Sequence, residues 1–69
     1  MDHTAKEVAN LYQTALGINQ DAAARLNFDR DTIQTLALAE ELNRPIGDGD
    51  QAVINQAWEV VNTFVVQRR

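Results

Sequence analysis

Residues 19–38 read NQDAAARLNFDRDTIQTLAL, and this stretch decides the fold. Its first residue, Asn19, carries a side-chain oxygen that can accept from the free N–H groups opening a helix. Asp21 places negative charge near the positive end of the same helix. Three alanines follow, then Leu26, the one large apolar residue of the segment. A short helix is expected over 20–26, ended by Asn27, a residue that tolerates positive φ. A further helix starts near Asp29 or Asp31, where Asp31 and Gln34 have the spacing of a capping box. Ile33, Leu36, Leu38, Ala39 and Leu42 supply its apolar side. Asn43-Arg44-Pro45 ends it, because the residue before a proline is pushed out of the helical region.

Working upstream, Thr4 and Glu7 form another capping box, the hydroxyl accepting from the third helical N–H while the carboxylate reaches back. Val8, Leu11, Tyr12, Ala15 and Leu16 then fall at i, i+3, i+4, i+7 and i+8, which is one apolar stripe. Gly17 stands where a left-handed C-cap residue belongs. A helix is predicted over 5–16. Downstream, Gly47-Asp48-Gly49-Asp50 reads as a loop, with Asp48 and Gln51, or Asp50 alone, capping a last helix over 50–67. Ile54, Ala57, Trp58, Val61, Phe64 and Val65 make its wide stripe, with Trp58 expected in the core. Val53, Val60 and Val66 lie off the centre of that stripe. Arg68 and Arg69 suit the negative end of the helix dipole. No alternating strand pattern and no repeat occurs. The chain is read as one all-α domain over 1–69, a small four-helix domain with a helix-turn-helix-like corner and a long C-terminal helix.

The corner has a specific chemistry. Ala22 and Ala23 are small where two helices would cross, and Leu26, Phe28, Ile33 and Leu36 are apolar where one helix would lock onto the other. Asn27 occupies the usual position of the turn glycine, and asparagine is the next residue able to adopt that conformation. Residues 19–38 thus resemble the helix-turn-helix of Cro and phage-repressor-like DNA-binding domains. The resemblance covers about a quarter of the chain and implies that the second helix enters the major groove. By position it would place Arg30, Asp31, Gln34 and Thr35 against the bases, making the protein a transcriptional regulator of repressor type.

Charge points the other way. The chain has ten acidic residues against six basic ones. Asp29, Asp31, Glu40, Glu41, Asp48 and Asp50 face only Arg30 and Arg44 within 29–50, so the net charge of −4 resides there. Affinity for nucleic acid rests on neutralising phosphates, which an acidic reading helix opposes. Nor does composition favour catalysis. Cysteine and serine are absent, and the single histidine, His3, has no nucleophile or ligand partner close in sequence. Asp48, Asp50 and Glu59 have part of a calcium-loop spacing, but Ala52 and Val53 occupy positions that need a ligand and a sharp-turn glycine. No metal and no cofactor is expected. Neither a membrane span nor a signal segment is read, and a cytoplasmic setting is expected. A core of this size rarely contributes more than about 3–5 kcal/mol, which disfavours a deep cleft. The expectation is a non-catalytic protein–protein interaction module: a docking domain, adaptor or small inhibitor. Its partner would present a basic or apolar groove, or be a second copy of the chain. The candidate contact residues are Val53, Val60 and Val66 on the last helix and Glu40, Glu41, Asp48 and Asp50 in the acidic band.

Overall fold

The computed structural model describes residues 2–26 and 29–67. They form helices α1 (Ala5–Ile18), α2 (Gln20–Ala24), α3 (Arg30–Glu41) and α4 (Asp48–Gln67), with no strand among the described residues. The expectations placed on Asn27, Phe28, Arg68 and Arg69 lie outside the described residues.

Helix α1 starts as the sequence predicts: Thr4 Oγ1 accepts from Glu7 N at 3.1 Å, and the Glu7 carboxylate accepts from Thr4 N at 3.4 Å. Its end differs. Gly17 is an internal helical residue, and Asn19 closes the helix in extended backbone (φ −157°, ψ 101°). Asn19 N donates to Ala15 O at 3.1 Å, while its side-chain oxygen accepts from Ala22 N at 3.1 Å. One asparagine therefore closes α1 and opens α2, and a left-handed glycine is not needed. Helix α2 is shorter than expected, ending at Ala24, and the N–H groups of Arg25 and Leu26 bond back three residues to Ala22 and Ala23. The Leu26 carbonyl is taken instead by the Tyr12 hydroxyl, which ties the end of α2 to α1.

Asp31 lies within α3 rather than capping it. Asp29 precedes the helix in a left-handed conformation (φ 31°, ψ 47°) and makes no side-chain cap. The helix ends as a Schellman motif. Asn43, at φ 55°, donates its N–H to Glu40 O, and Arg44 N donates to Ala39 O at 2.8 Å. Asp48 and Asp50 occupy the first turn of α4 instead of preceding it, and Gln51 N donates to Gly47 O at 3.0 Å.

The core is built on α1. Its Ala5, Val8, Tyr12 and Ala15 are buried against Ala23 of α2, Ile33 and Leu36 of α3, and Ile54, Ala57, Val61 and Val65 of α4. Each of the other helices packs on α1, and they barely touch one another. Leu11, Leu16, Ile46, Trp58 and Phe64 are partly buried around this cluster. No polar side chain is buried among the described residues.

Candidate functional site

The period of α3 sorts its residues into two faces. Ile33, Leu36 and Glu40 fall at i, i+3 and i+7 and turn inward. Leu38 is five positions from Ile33, about 140° around the helix at 3.6 residues per turn, so it turns outward. Leu38 is 55% exposed, and Leu42, one turn on, is 56% exposed. The expectation that both lie on the apolar core side is corrected by this geometry. Asp31, Gln34, Thr35 and Glu41 share the outward side and are exposed.

Glu40 leaves the acidic band. Its carboxylate accepts from Ala5 N at 2.7 Å and Lys6 N at 3.0 Å, capping the first turn of α1 from a neighbouring helix. With Thr4 and Glu7 bonded reciprocally, the open N–H groups at the start of α1 are all taken. Glu40 is thus an internal brace, its carboxylate engaged within the domain. Its position seven residues after Ile33 and four after Leu36 already placed it on the buried stripe. Glu41, Asp48 and Asp50 are exposed.

Between α1 and α3 runs a shallow groove of about 220 Å³ lined by Lys6 and Ala9 on one side and Gln34, Ala37, Leu38 and Glu41 on the other. A wider concavity of about 540 Å³ at the start of α3 is lined by Asp29, Arg30, Asp31 and Thr32, two carboxylates against one guanidinium. Arg30, Asp31, Gln34 and Thr35 are all exposed. The Thr35 hydroxyl donates to Asp31 O at 2.9 Å, so its proton serves the helix backbone.

On α4, Val53 is partly buried and packs against the core, Val60 is partly buried, and Val66 is 61% exposed. Val53 therefore contributes to the domain's own packing. Val66 lies thirteen residues from Val53, about 220° around the helix, and does not extend the flank that Val53 and Val60 share.

The opposite flank of α4 is covered by the residues before α1. His3 N donates to Asn55 Oδ1 at 2.9 Å, and Gln51 Nε2 donates to His3 O at 2.7 Å. Asn55 Nδ2 donates to Asp2 Oδ1 at 3.2 Å. The His3 ring stacks on Trp58 with centroids 3.8 Å apart and planes 7° apart. Its Nδ1 lies 3.4 Å from Glu7 Oε2. The hydrogen bond to His3 leads the interactions that hold the exposed Glu7 carboxyl below its ordinary value; desolvation opposes it, and hydrogen bonds with Thr4 add to it. Trp58 is therefore a half-buried residue under a strap, not a core residue. Gln51, Asn55 and Trp58 recur at i, i+4 and i+7, but their partner His3 lies 48 or more positions away in the chain, beyond the reach of any local pattern.

Among the described residues, no group of three His, Cys, Asp or Glu side chains converges to hold a metal ion, and no helix is long and apolar enough to cross a membrane. The chain matches no known protein family, no curated protein and no solved structure.

Proposed function

We propose that the chain is a non-catalytic protein–protein interaction module, and that it docks through the outward face of α3. The observation that carries this reading is the composition of that face. Leu38 and Leu42 are each more than half exposed, on the same outward side as Asp31 and Glu41. The one cation of α3, Arg30, stands at its first residue between Asp29 and Asp31. Apolar side chains held out in water among charged and polar ones are the ordinary composition of a protein contact surface, with an apolar centre and a polar rim. They are poorly suited to a phosphate backbone, which needs cations. The valines of α4 take a lesser part in this reading, since Val53 is committed to the core.

The alternative, a repressor-type DNA reader using Arg30, Asp31, Gln34 and Thr35, has those residues in solvent but within the same acidic surface. Two measurements separate the readings. Proteins cross-linked to the chain in native lysate should be lost when Leu38→Ser and Leu42→Ser are combined. Duplex DNA should show no saturable binding at physiological salt. Sequence-selective duplex binding that weakens on Arg30→Ala or Gln34→Ala would replace the interaction reading with the DNA reading.

A further inference from the structure

Gln51, Asn55 and Trp58 of α4 hold His3 as a recognition site holds a residue of its ligand. Both backbone polar atoms of His3 are taken by side-chain carboxamides: its N–H donates to Asn55 Oδ1 at 2.9 Å, and its carbonyl accepts from Gln51 Nε2 at 2.7 Å. The carboxamides also bond to each other, Gln51 Nε2 donating to Asn55 Oδ1 at 3.2 Å, which orients the pair. The Trp58 ring lies 3.8 Å from the imidazole with planes 7° apart, a stacking that a flat ring can make and a branched aliphatic side chain cannot. Asn55 Nδ2 reaches the Asp2 carboxylate at 3.2 Å. Every residue offers an N–H and a carbonyl, so the ring and the carboxylate before it are what select. We infer that this row is a second contact site, resting on other residues than the α3 face, for an extended segment of a partner protein in which an acidic residue precedes a flat-ringed one, and that Asp2-His3 is the internal competitor that occupies it.

The strap can leave without unfolding what lies beneath. Asp2 is exposed, His3 is half-buried, and neither belongs to the core. The caps of α1 do not depend on them: Thr4 Oγ1 accepts from Glu7 N, and the Glu40 carboxylate accepts from Ala5 N and Lys6 N. What the strap uncovers is an indole face beside two oriented carboxamides, an aromatic anchor with polar neighbours of the kind that dominates protein contacts. A partner segment remakes the same bonds, so the exchange is set by concentration and by the partner's further contacts. Tethering gives the strap an effective concentration of roughly millimolar, which an unlinked segment has to exceed. A second copy of the chain is a poor donor. Thr4 alone separates the strap from α1, so a copy offering its strap in the same pose would bring its α1 to where the first copy's α1 stands. The partner's segment turns away after its ring residue, as a loop or a chain end can.

The test uses the full chain, isotope-labelled for NMR, and the blocked peptides acetyl-Asp-Phe-Gly-Ser-amide and acetyl-Asp-Leu-Gly-Ser-amide. On the unaltered chain, the phenylalanine peptide in excess should shift the Trp58 indole and the side-chain amide signals of Gln51 and Asn55. The ring protons of His3 should move with them as the strap leaves. His3→Gly removes the competing ring and should tighten that peptide at least about fivefold. The leucine peptide should bind at least about threefold more weakly than the phenylalanine one, since it cannot stack. Asn55→Ala should abolish binding while the thermal melt is retained. Combined Leu38→Ser and Leu42→Ser should leave it unchanged, so this inference and the α3 reading fail separately. Equal affinity for the two peptides, no gain from His3→Gly, shifts centred on α3, or no binding of either peptide would each overturn the inference. Loss of the fold in His3→Gly would overturn it as well, because a strap that the fold requires cannot give way to a partner.

Discussion

Glu40 and Glu41 are adjacent in sequence and opposite in role. Successive residues on a helix point about 100° apart, so one carboxylate reaches the first turn of α1 while its neighbour faces solvent. Glu40→Ala should cost about 1.5–3 kcal/mol, the range for a hydrogen bond to a charged group, because it leaves the N–H groups of Ala5 and Lys6 without their acceptor. Glu41→Ala should stay within about 0.5 kcal/mol. Chemical denaturation of the two variants compares them directly, and equal losses would refute the brace. Glu7 supplies a second residue-scale expectation. Its carboxyl is held below the ordinary carboxylate value in the folded chain, chiefly by His3. The unfolded chain therefore binds that proton more readily. The contribution is complete above the ordinary carboxylate range and is lost as pH falls through the lowered value. Glu7→Gln should flatten the acid side of a plot of Tm against pH, and an unchanged acid limb would show that the His3–Glu7 contact has no thermodynamic weight. The two glutamates differ in how they could be read. The Thr4–Glu7 pair is a contact across three residues, which the sequence displays. The Glu40 contact spans thirty-five, and only its place on the buried stripe hinted at it.

At the scale of elements, the helices were legible where caps and period agree and misread where one residue type serves two purposes. The stripe of α1 and its capping box follow from spacing alone. Gly17 suggested a C-cap, yet Asn19 performs that closure, because its backbone ends α1 while its side chain starts α2. Gly17 has no positive φ, and a Cβ added there would meet nothing within 4 Å. Gly17→Ala should therefore raise stability by about 0.4–1 kcal/mol; a loss in the thermal melt would restore the left-handed cap. Asn43 is the residue that does adopt positive φ, at the Schellman turn closing α3. Asn43→Val should cost roughly 1–2 kcal/mol, since a β-branched side chain is poorly tolerated there, while Asn43→Gly should hold stability. The faces of α3 differ from the expectation because a leucine reads as core by type, while its exposure is set by its place in the helical period. The period of Ile33, Leu36 and Glu40 puts Leu38 outside, and that error concealed the surface now proposed to bind.

For the whole molecule, length and composition point to a small domain and the caps and apolar periods to an all-α one, while the arrangement of helices around α1 required the structure. The residues before α1 bind α4 largely through the backbone atoms of His3, which carry no sequence signature. The ring contact is the testable part. His3→Ala should cost about 0.5–1.5 kcal/mol and move the emission of Trp58, the only tryptophan, to longer wavelength as water reaches the indole. Unchanged emission would mean that the imidazole does not cover it. The central place of α1 has a consequence for the chain during its synthesis. Of the four helices, the first to leave the ribosome is the one on which the rest are assembled, and α4, which covers much of its apolar stripe, is the last. A nascent chain that has reached only the loop at Gly47 holds Val8, Tyr12 and Ala15 without the side chains of Ile54, Ala57 and Val61. Native packing must therefore await translation of α4, and until then the stripe of α1 is open to chaperones.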